Sequence, residues 1–109
     1  MDLDDPCPRA AVTLELRVGS RVAWLVRLME GRWVVGRCPS CDLVIPPQLR
    51  QVSGLHLSLR LARGLLWVRD LGSKNGSGLD GRRVHGEVVL LPGRPLVLGE
   101  GVVLSVLSP

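Results

Sequence analysis

The chain has no phenylalanine, no tyrosine and only three tryptophans. A folded core must therefore come from Leu and Val, and Val favours extended backbone. Lysine is nearly absent as well: Lys74 is the single one, and every other basic residue is Arg. No stretch approaches the roughly 18 consecutive apolar residues of a membrane-crossing helix, so no membrane partner is expected. The opening Met1-Asp2-Leu3-Asp4-Asp5 is acidic where a secretory signal would be basic and then apolar, which reads as a cytoplasmic protein.

Cysteines are few and odd in number, which does not fit the paired framework of a small secreted domain. Cys38-Pro39-Ser40-Cys41 has the spacing of half a zinc site. A closed structural site needs four ligands, and only Cys7, His56 and His85 remain to complete it. The pair reads instead as a loop with two oxidisable thiols, and no metal is expected. Catalytic signatures are also missing. There is no nucleophile elbow, and Gly72 to Gly78 lacks the Gly-Lys-Ser/Thr ending of a P-loop. No pair of acids stands out for proton transfer. Neither enzymatic activity nor a cofactor is expected.

What is present is a chain of 109 residues, 46% of them apolar, enough for one domain with a modest core. The formal net charge is +4, from 14 basic and 10 acidic residues. Three of the acids, Asp2, Asp4 and Asp5, fall in the first five positions, so the remainder is more strongly basic. A basic body suits an anionic partner. Residues 1–9, with Pro6, Pro8 and the acids, read as a flexible acidic tail; residues 10–109 read as the domain.

Turn signals recur at short intervals, and no run is long enough for a substantial helix. Val12, Leu14, Leu16 and Val18 alternate with Thr13, Glu15 and Arg17, the period of a half-buried strand. Gly19-Ser20, Glu30-Gly31 and Arg63-Gly64 read as turns, and Asp80-Gly81 as a tight hairpin. Strands are predicted at 22–28, 32–36, 43–45, 55–61, 65–70, 88–91, 96–98 and 102–107. Some ten short strands at this spacing predict an all-β sandwich or barrel. Trp24, Trp33 and Trp67 all fall in these strands, where core packing is the simplest role.

Three predicted loops carry unusual polar residues. One follows Gly36-Arg37, the second holds Gln51-Val52-Ser53-Gly54-Leu55-His56, and the third runs Asp70-Leu71-Gly72-Ser73-Lys74-Asn75-Gly76-Ser77. Arg offers a planar fork that can engage two phosphate oxygens. Ser offers a hydroxyl, Gly-rich loops let backbone N–H groups approach an anion, and Asn can grip a peptide backbone. Taken singly, each feature is equally an ordinary turn dipeptide or a solvated charge.

Together, Gly36-Arg37, Asp42-Leu43-Val44-Ile45, Ser53-Gly54-Leu55-His56 and Asp70-Leu71-Gly72-Ser73-Lys74-Asn75-Gly76-Ser77 resemble the forkhead-associated (FHA) family in order and spacing. The resemblance implies an eleven-strand, mostly antiparallel β-sandwich that binds phosphothreonine peptides as an adaptor in Ser/Thr kinase signalling. The partner would be a phosphothreonine-bearing protein, a Ser/Thr kinase or its substrate. It implies that Arg37 and Ser53 bind phosphate, that Lys74 contributes on the phosphate side, and that Asn75 holds the peptide backbone. Arg50 and Gln51 would select flanking side chains. Gly36, His56 and Gly76 would be structural, His56 bracing the loops from beneath. Gly54 departs from the family pattern, which often has Arg or Asn there, so the contact set would be thinner. With Arg dominating Lys, a GC-rich bacterial source is expected. Two rivals stand beside this reading: a small basic β-barrel that binds nucleic acid, which the scarcity of aromatics disfavours, and an FHA-type scaffold that binds an unphosphorylated protein face.

Overall fold

The computed structural model describes residues 11–107. The expected acidic tail, with Cys7, lies outside the described residues. Eleven strands are present and no helix, among the described residues. They are β1 (Val12–Val18), β2 (Arg21–Leu28), β3 (Gly31–Gly36), β4 (Leu43–Val44), β5 (Leu57–Ala62), β6 (Leu65–Asp70), β7 (Gly78–Leu79), β8 (Arg82–Arg83), β9 (Glu87–Leu90), β10 (Leu96–Gly99) and β11 (Val102–Leu107).

The strands form two sheets. One has the order β2-β1-β11-β10-β7-β8, the other β4-β3-β5-β6-β9. Neighbours run antiparallel except β3 and β4, which pair in parallel through Val35 with Leu43 and Gly36 with Val44. The two-residue period turns Leu14, Leu16, Leu96, Leu98, Leu104 and Val106 inward from the first sheet. Leu57, Leu59, Leu61, Leu66, Val68 and Leu90 meet them from the second. The core is thus almost wholly Leu and Val. Arg63-Gly64 and Asp80-Gly81 have both residues at positive φ, the backbone of a two-residue hairpin turn.

Trp24 and Trp33 are half-buried against this core, but Trp67 is not a core residue. On β6, Leu66 and Val68 occupy the inner face, which leaves Trp67 on the outer one. There the Arg60 guanidinium sits 5.2 Å from its ring centroid, within cation–π range. Arg60 also makes a two-pronged pair with Glu87, at 3.0 and 2.9 Å. Trp24 has a second function: its indole N–H donates to Val44 O at 3.1 Å, tying edge strand β2 to edge strand β4.

The fifth strand begins at Leu57 rather than Leu55. Leu55 is 53% exposed, and His56 takes the inward position instead. The sequence period fails here because residues 53–56 leave the ladder to support a loop.

The adjacent Leu65 and Leu66 offer a direct check of facing. Leu66, 1% exposed, should lose about 2–5 kcal/mol of stability on substitution by Ala. Leu65, 42% exposed, should change by no more than about 0.5 kcal/mol. Denaturant unfolding of L66A and L65A measures both.

Candidate functional site

Arg37 leaves the end of β3 directly after Gly36. Gly36 is required sterically: a Cβ there would stand 2.7 Å from the carbonyl carbon of Gly54 and closer still to its oxygen, with Leu55 Cα at 3.0 Å. This close approach brings the loop after β3 against the loop before β5. Arg37 N–H donates to Ser53 O at 3.2 Å, and Cys38 N–H donates to Gly54 O at 3.1 Å. The Arg37 side chain is half-buried, and its Nε donates to Val52 O while Nη1 donates to Pro47 O at 3.0 Å. Two backbone carbonyls thereby orient the guanidinium and leave its other N–H groups for a ligand.

Ser53 joins all three loops. Its carbonyl accepts from Arg37, its N–H donates to His56 Nδ1 at 3.0 Å, and its Oγ accepts the Lys74 N–H at 2.8 Å. The hydroxyl proton is still available to donate. Asn75 Nδ2 donates to Gln51 O at 2.9 Å, which leaves its carbonyl oxygen as an acceptor. Arg37, Ser53, Lys74 and Asn75 are therefore gathered at one end of the sandwich, with Lys74 and Asn75 exposed.

The other candidates are placed differently. Arg50 is exposed, on the same loop. The Gln51 side chain reaches away, donating from Nε2 to Glu100 O at 3.0 Å and packing over Gly99. Gly54 lies beneath the Cys38–Cys41 turn: its carbonyl also accepts the Cys41 thiol at 3.3 Å, and a Cβ on it would meet Cys38 Sγ at 2.9 Å. Gly76 has φ +80°, and the Arg83 guanidinium lies against it.

His56 is fully buried. Because Nδ1 accepts from Ser53, the proton sits on Nε2, which donates to Gly76 O at 3.1 Å. Burial pushes its pKa below the ordinary 6.5, against the opposing pull of the Gly76 carbonyl and the Asp70 charge. The ring is thus a neutral strut between the second and third loops.

Asp70, at the end of β6, organises the third loop and had no role assigned from sequence. Its Oδ1 accepts the Ser73 N–H at 2.7 Å, and its Oδ2 accepts the Ser73 and Ser77 hydroxyls, each at 2.6 Å. Burial pushes the carboxyl upward, but these hydrogen bonds and nearby His56 outweigh it and hold the pKa below 3.8. Asp70 thus closes the loop onto the N–H and hydroxyl of the residue three positions on.

This is a β-sandwich whose loops at one end gather two cations, a hydroxyl and an amide around an exposed patch. The FHA domain profile matches residues 33–99. No curated protein matches the chain. Among solved structures, the FHA domain of the CT664 protein from Chlamydia trachomatis superposes with TM-score 0.76 at 22% identity, over 89% of this chain and 98% of that one. An FHA domain from a structural and functional study of phosphothreonine-dependent FHA interactions gives 0.73 at 25% identity, over 89% and 97%. The FhaA FHA domain, complexed with the intracellular domain of Rv3910, gives 0.72 at 26% identity, over 85% and 98%. The chain belongs to the FHA domain family.

Two outcomes test this construction of the site. Gly36→Ala should destabilise the fold by about 1–3 kcal/mol or more, since backbone rather than a flexible side chain blocks the new methyl. Stability should also fall with acid. Below about pH 6.5 the unfolded chain protonates His56 while the folded chain resists, so stability is lost as pH falls toward the lowered folded pKa. Asp70 acts in the same direction at lower pH: its contribution is complete above 3.8 and disappears as pH falls through its depressed value. Denaturation midpoints from about pH 7 to pH 3 should decline in two stages, and His56→Gln should lower the neutral-pH midpoint and remove the first stage.

Proposed function

We propose that this domain binds phosphothreonine-bearing peptides and serves as an adaptor in Ser/Thr kinase signalling, without chemistry of its own. The observation that carries the reading is the convergence of Arg37 and Ser53, held by the 46–56 loop, with Lys74 and Asn75. In this reading the free N–H groups of Arg37 and the Ser53 hydroxyl take the phosphate oxygens, with Lys74 adding charge. Asn75 presents its amide to the peptide backbone. Hydrogen bonds to a charged group contribute about 1.5–3 kcal/mol each, so two or three would dominate a micromolar affinity of about −8 kcal/mol. The FHA domain from a study of phosphothreonine-dependent FHA interactions, and the FhaA FHA domain complexed with the intracellular domain of Rv3910, support the same reading. The partner is a phosphothreonine-bearing protein, a Ser/Thr kinase or its substrate.

Beside Asn75 lies a groove of about 540 Å³ lined by Ser77, Gly78, Arg82, Arg83 and Val97, which would receive peptide residues flanking the phosphothreonine. Arg50 would contribute flanking selectivity from the second loop. Gln51 and Gly54 act in this reading as supports, because their neighbours are the Glu100 turn and the Cys38–Cys41 turn.

The test is a titration of one peptide in phosphothreonine, phosphoserine and unmodified forms. Binding should require phosphate, and phosphoserine should bind about fourfold more weakly, from about 0.8 kcal/mol for the missing methyl. Arg37→Ala should weaken binding by at least about tenfold. Arg37→Lys, which keeps the charge but not the fork, should recover only part of it. Equal affinity for phosphorylated and unmodified peptide would sink the proposal, and tight, steeply salt-dependent binding of single-stranded DNA in its place would favour a nucleic-acid role.

A further inference from the structure

We infer that Cys38 and Cys41 form a peroxide-sensitive thiol pair whose closure to a disulfide alters the phosphate-binding end of the domain. Cys41 N–H donates to Cys38 O at 2.9 Å, so the four residues close a turn. Such a turn keeps its terminal Cα atoms within about 7 Å, a span that overlaps the roughly 4.4–6.8 Å of disulfides.

Both sulfurs stand over the same residue. Cys41 Sγ donates to Gly54 O at 3.3 Å, and Cys38 Sγ fills the space that a Cβ on Gly54 would occupy. Cys38 is part-exposed and Cys41 buried, so an oxidant meets Cys38 first and Cys41 is placed to resolve. The charge of Cys38 contributes, after burial, to pushing the Cys41 thiol up, in keeping with their proximity. No set of three or more metal-ligating side chains accompanies them among the described residues. Two-thiol chemistry is what this arrangement supports.

The reactant class is a hydroperoxide, with hydrogen peroxide the simplest. Cys38, deprotonated, attacks one peroxide oxygen. The O–O bond breaks, Cys38 becomes a sulfenic acid, and the departing hydroxide takes a proton to leave as water. The Cys41 sulfur then attacks the sulfenic sulfur, the S–S bond forms, and the hydroxyl leaves with the Cys41 proton as a second water. Two thiols lose two electrons together, and one peroxide is reduced to two waters.

The consequence follows from position. The disulfide removes the S–H donor from Gly54 O and fixes the turn that begins at the residue after Arg37. Arg37 and Cys38 donate to the consecutive carbonyls of Ser53 and Gly54, so a shift of the turn displaces the phosphate-binding pair. This part rests on the phosphopeptide reading above; disulfide formation itself does not.

The full chain carrying Cys7→Ser is treated with equimolar hydrogen peroxide, alkylated and digested with trypsin. Cleavage after Arg37 and Arg50 releases residues 38–50, which hold both thiols. That peptide should be lighter by two hydrogens and refuse alkylation until reduced. Phosphothreonine peptide should then bind the oxidised chain about fivefold more weakly, the scale of one hydrogen bond, and thiol reductant should restore it. Cys41→Ser, which keeps an O–H donor for Gly54, should bind like the reduced chain before treatment and, with no resolving thiol, should leave Cys38 as a sulfenic acid with no disulfide in residues 38–50 after peroxide. Free alkylatable thiols, irreversible over-oxidation or a linked dimer would overturn the pair. A closed disulfide with unchanged affinity would overturn its effect on binding. If the reduced chain binds no phosphopeptide, the functional reading fails while the mass of residues 38–50 still judges the pair.

Discussion

The three loops that gather Arg37, Ser53 and Asn75 depend on one buried imidazole. A polar ring among Leu side chains is costly unless both nitrogens are paired. His56 meets that condition by accepting from Ser53 N–H and donating to Gly76 O. Those two bonds set the spacing between the second and third loops. The remaining contacts follow in order: Ser53 O receives Arg37, Ser53 Oγ receives Lys74 N–H, and Gln51 O receives the Asn75 amide. The backbone around the ring joins in, since His56 N–H donates to Val35 O and Leu71 N–H donates to His56 O, each at 2.9 Å. The site is therefore held by hydrogen bonds built around a neutral, buried ring, with the ionised Asp70 tying the third loop and Lys74 left at the exposed rim.

The division between core and rim also accounts for the composition. A core of Leu and Val in two facing sheets supplies rigidity without large rings. That leaves tryptophan for edges and faces, as with Trp24 linking β2 to β4 and Trp67 beneath Arg60. Some of the arginines are taken up by carboxylate neighbours: Arg60 is paired with Glu87, Arg17 with Glu15, and Arg94 with Asp80. Net positive charge alone is a poor guide to where an anion would bind. Arg37 is distinguished by having carbonyls on two of its donors and no carboxylate partner among the described residues.

How far the sequence could be read depended on whether a feature was local. The alternation of Val12 to Val18 and of Leu57 to Leu61 fixes which face is inward, and the structure keeps it. Extending that alternation back to Leu55 fails, because His56 is drawn inward by partners twenty residues away at Gly76 and nearby at Ser53. The strands β7 and β8 are two residues each, too short to carry a period, and only the Asp80-Gly81 turn between them was visible. In the site, the resemblance to the FHA pattern pointed to Arg37, Ser53, Lys74 and Asn75, which the fold gathers. The direction of Gln51 was not legible, since it depends on the approach of the β10–β11 turn. Nor was the work of Asp70, whose partners Ser73 and Ser77 also read as ordinary loop residues.

Gly54 shows how a departure from a family pattern can have a steric cause. A larger residue there would start its side chain 2.9 Å from Cys38 Sγ, while Gly36 leaves no room for the Gly54 carbonyl to move the other way. The Cys38 thiol and the glycine at 54 are one packing choice: the sulfur occupies the volume that a side chain at 54 would otherwise claim. The Cys41 thiol satisfies the carbonyl that this arrangement presents, together with Cys38 N–H. What the loop loses in a donor side chain at position 54 it replaces with two thiols directly behind the Arg37–Ser53 junction. Restoring a large polar side chain at 54 without also shrinking position 38 would push on the turn that Arg37 leads into, so the two positions are coupled through contact and should be altered together.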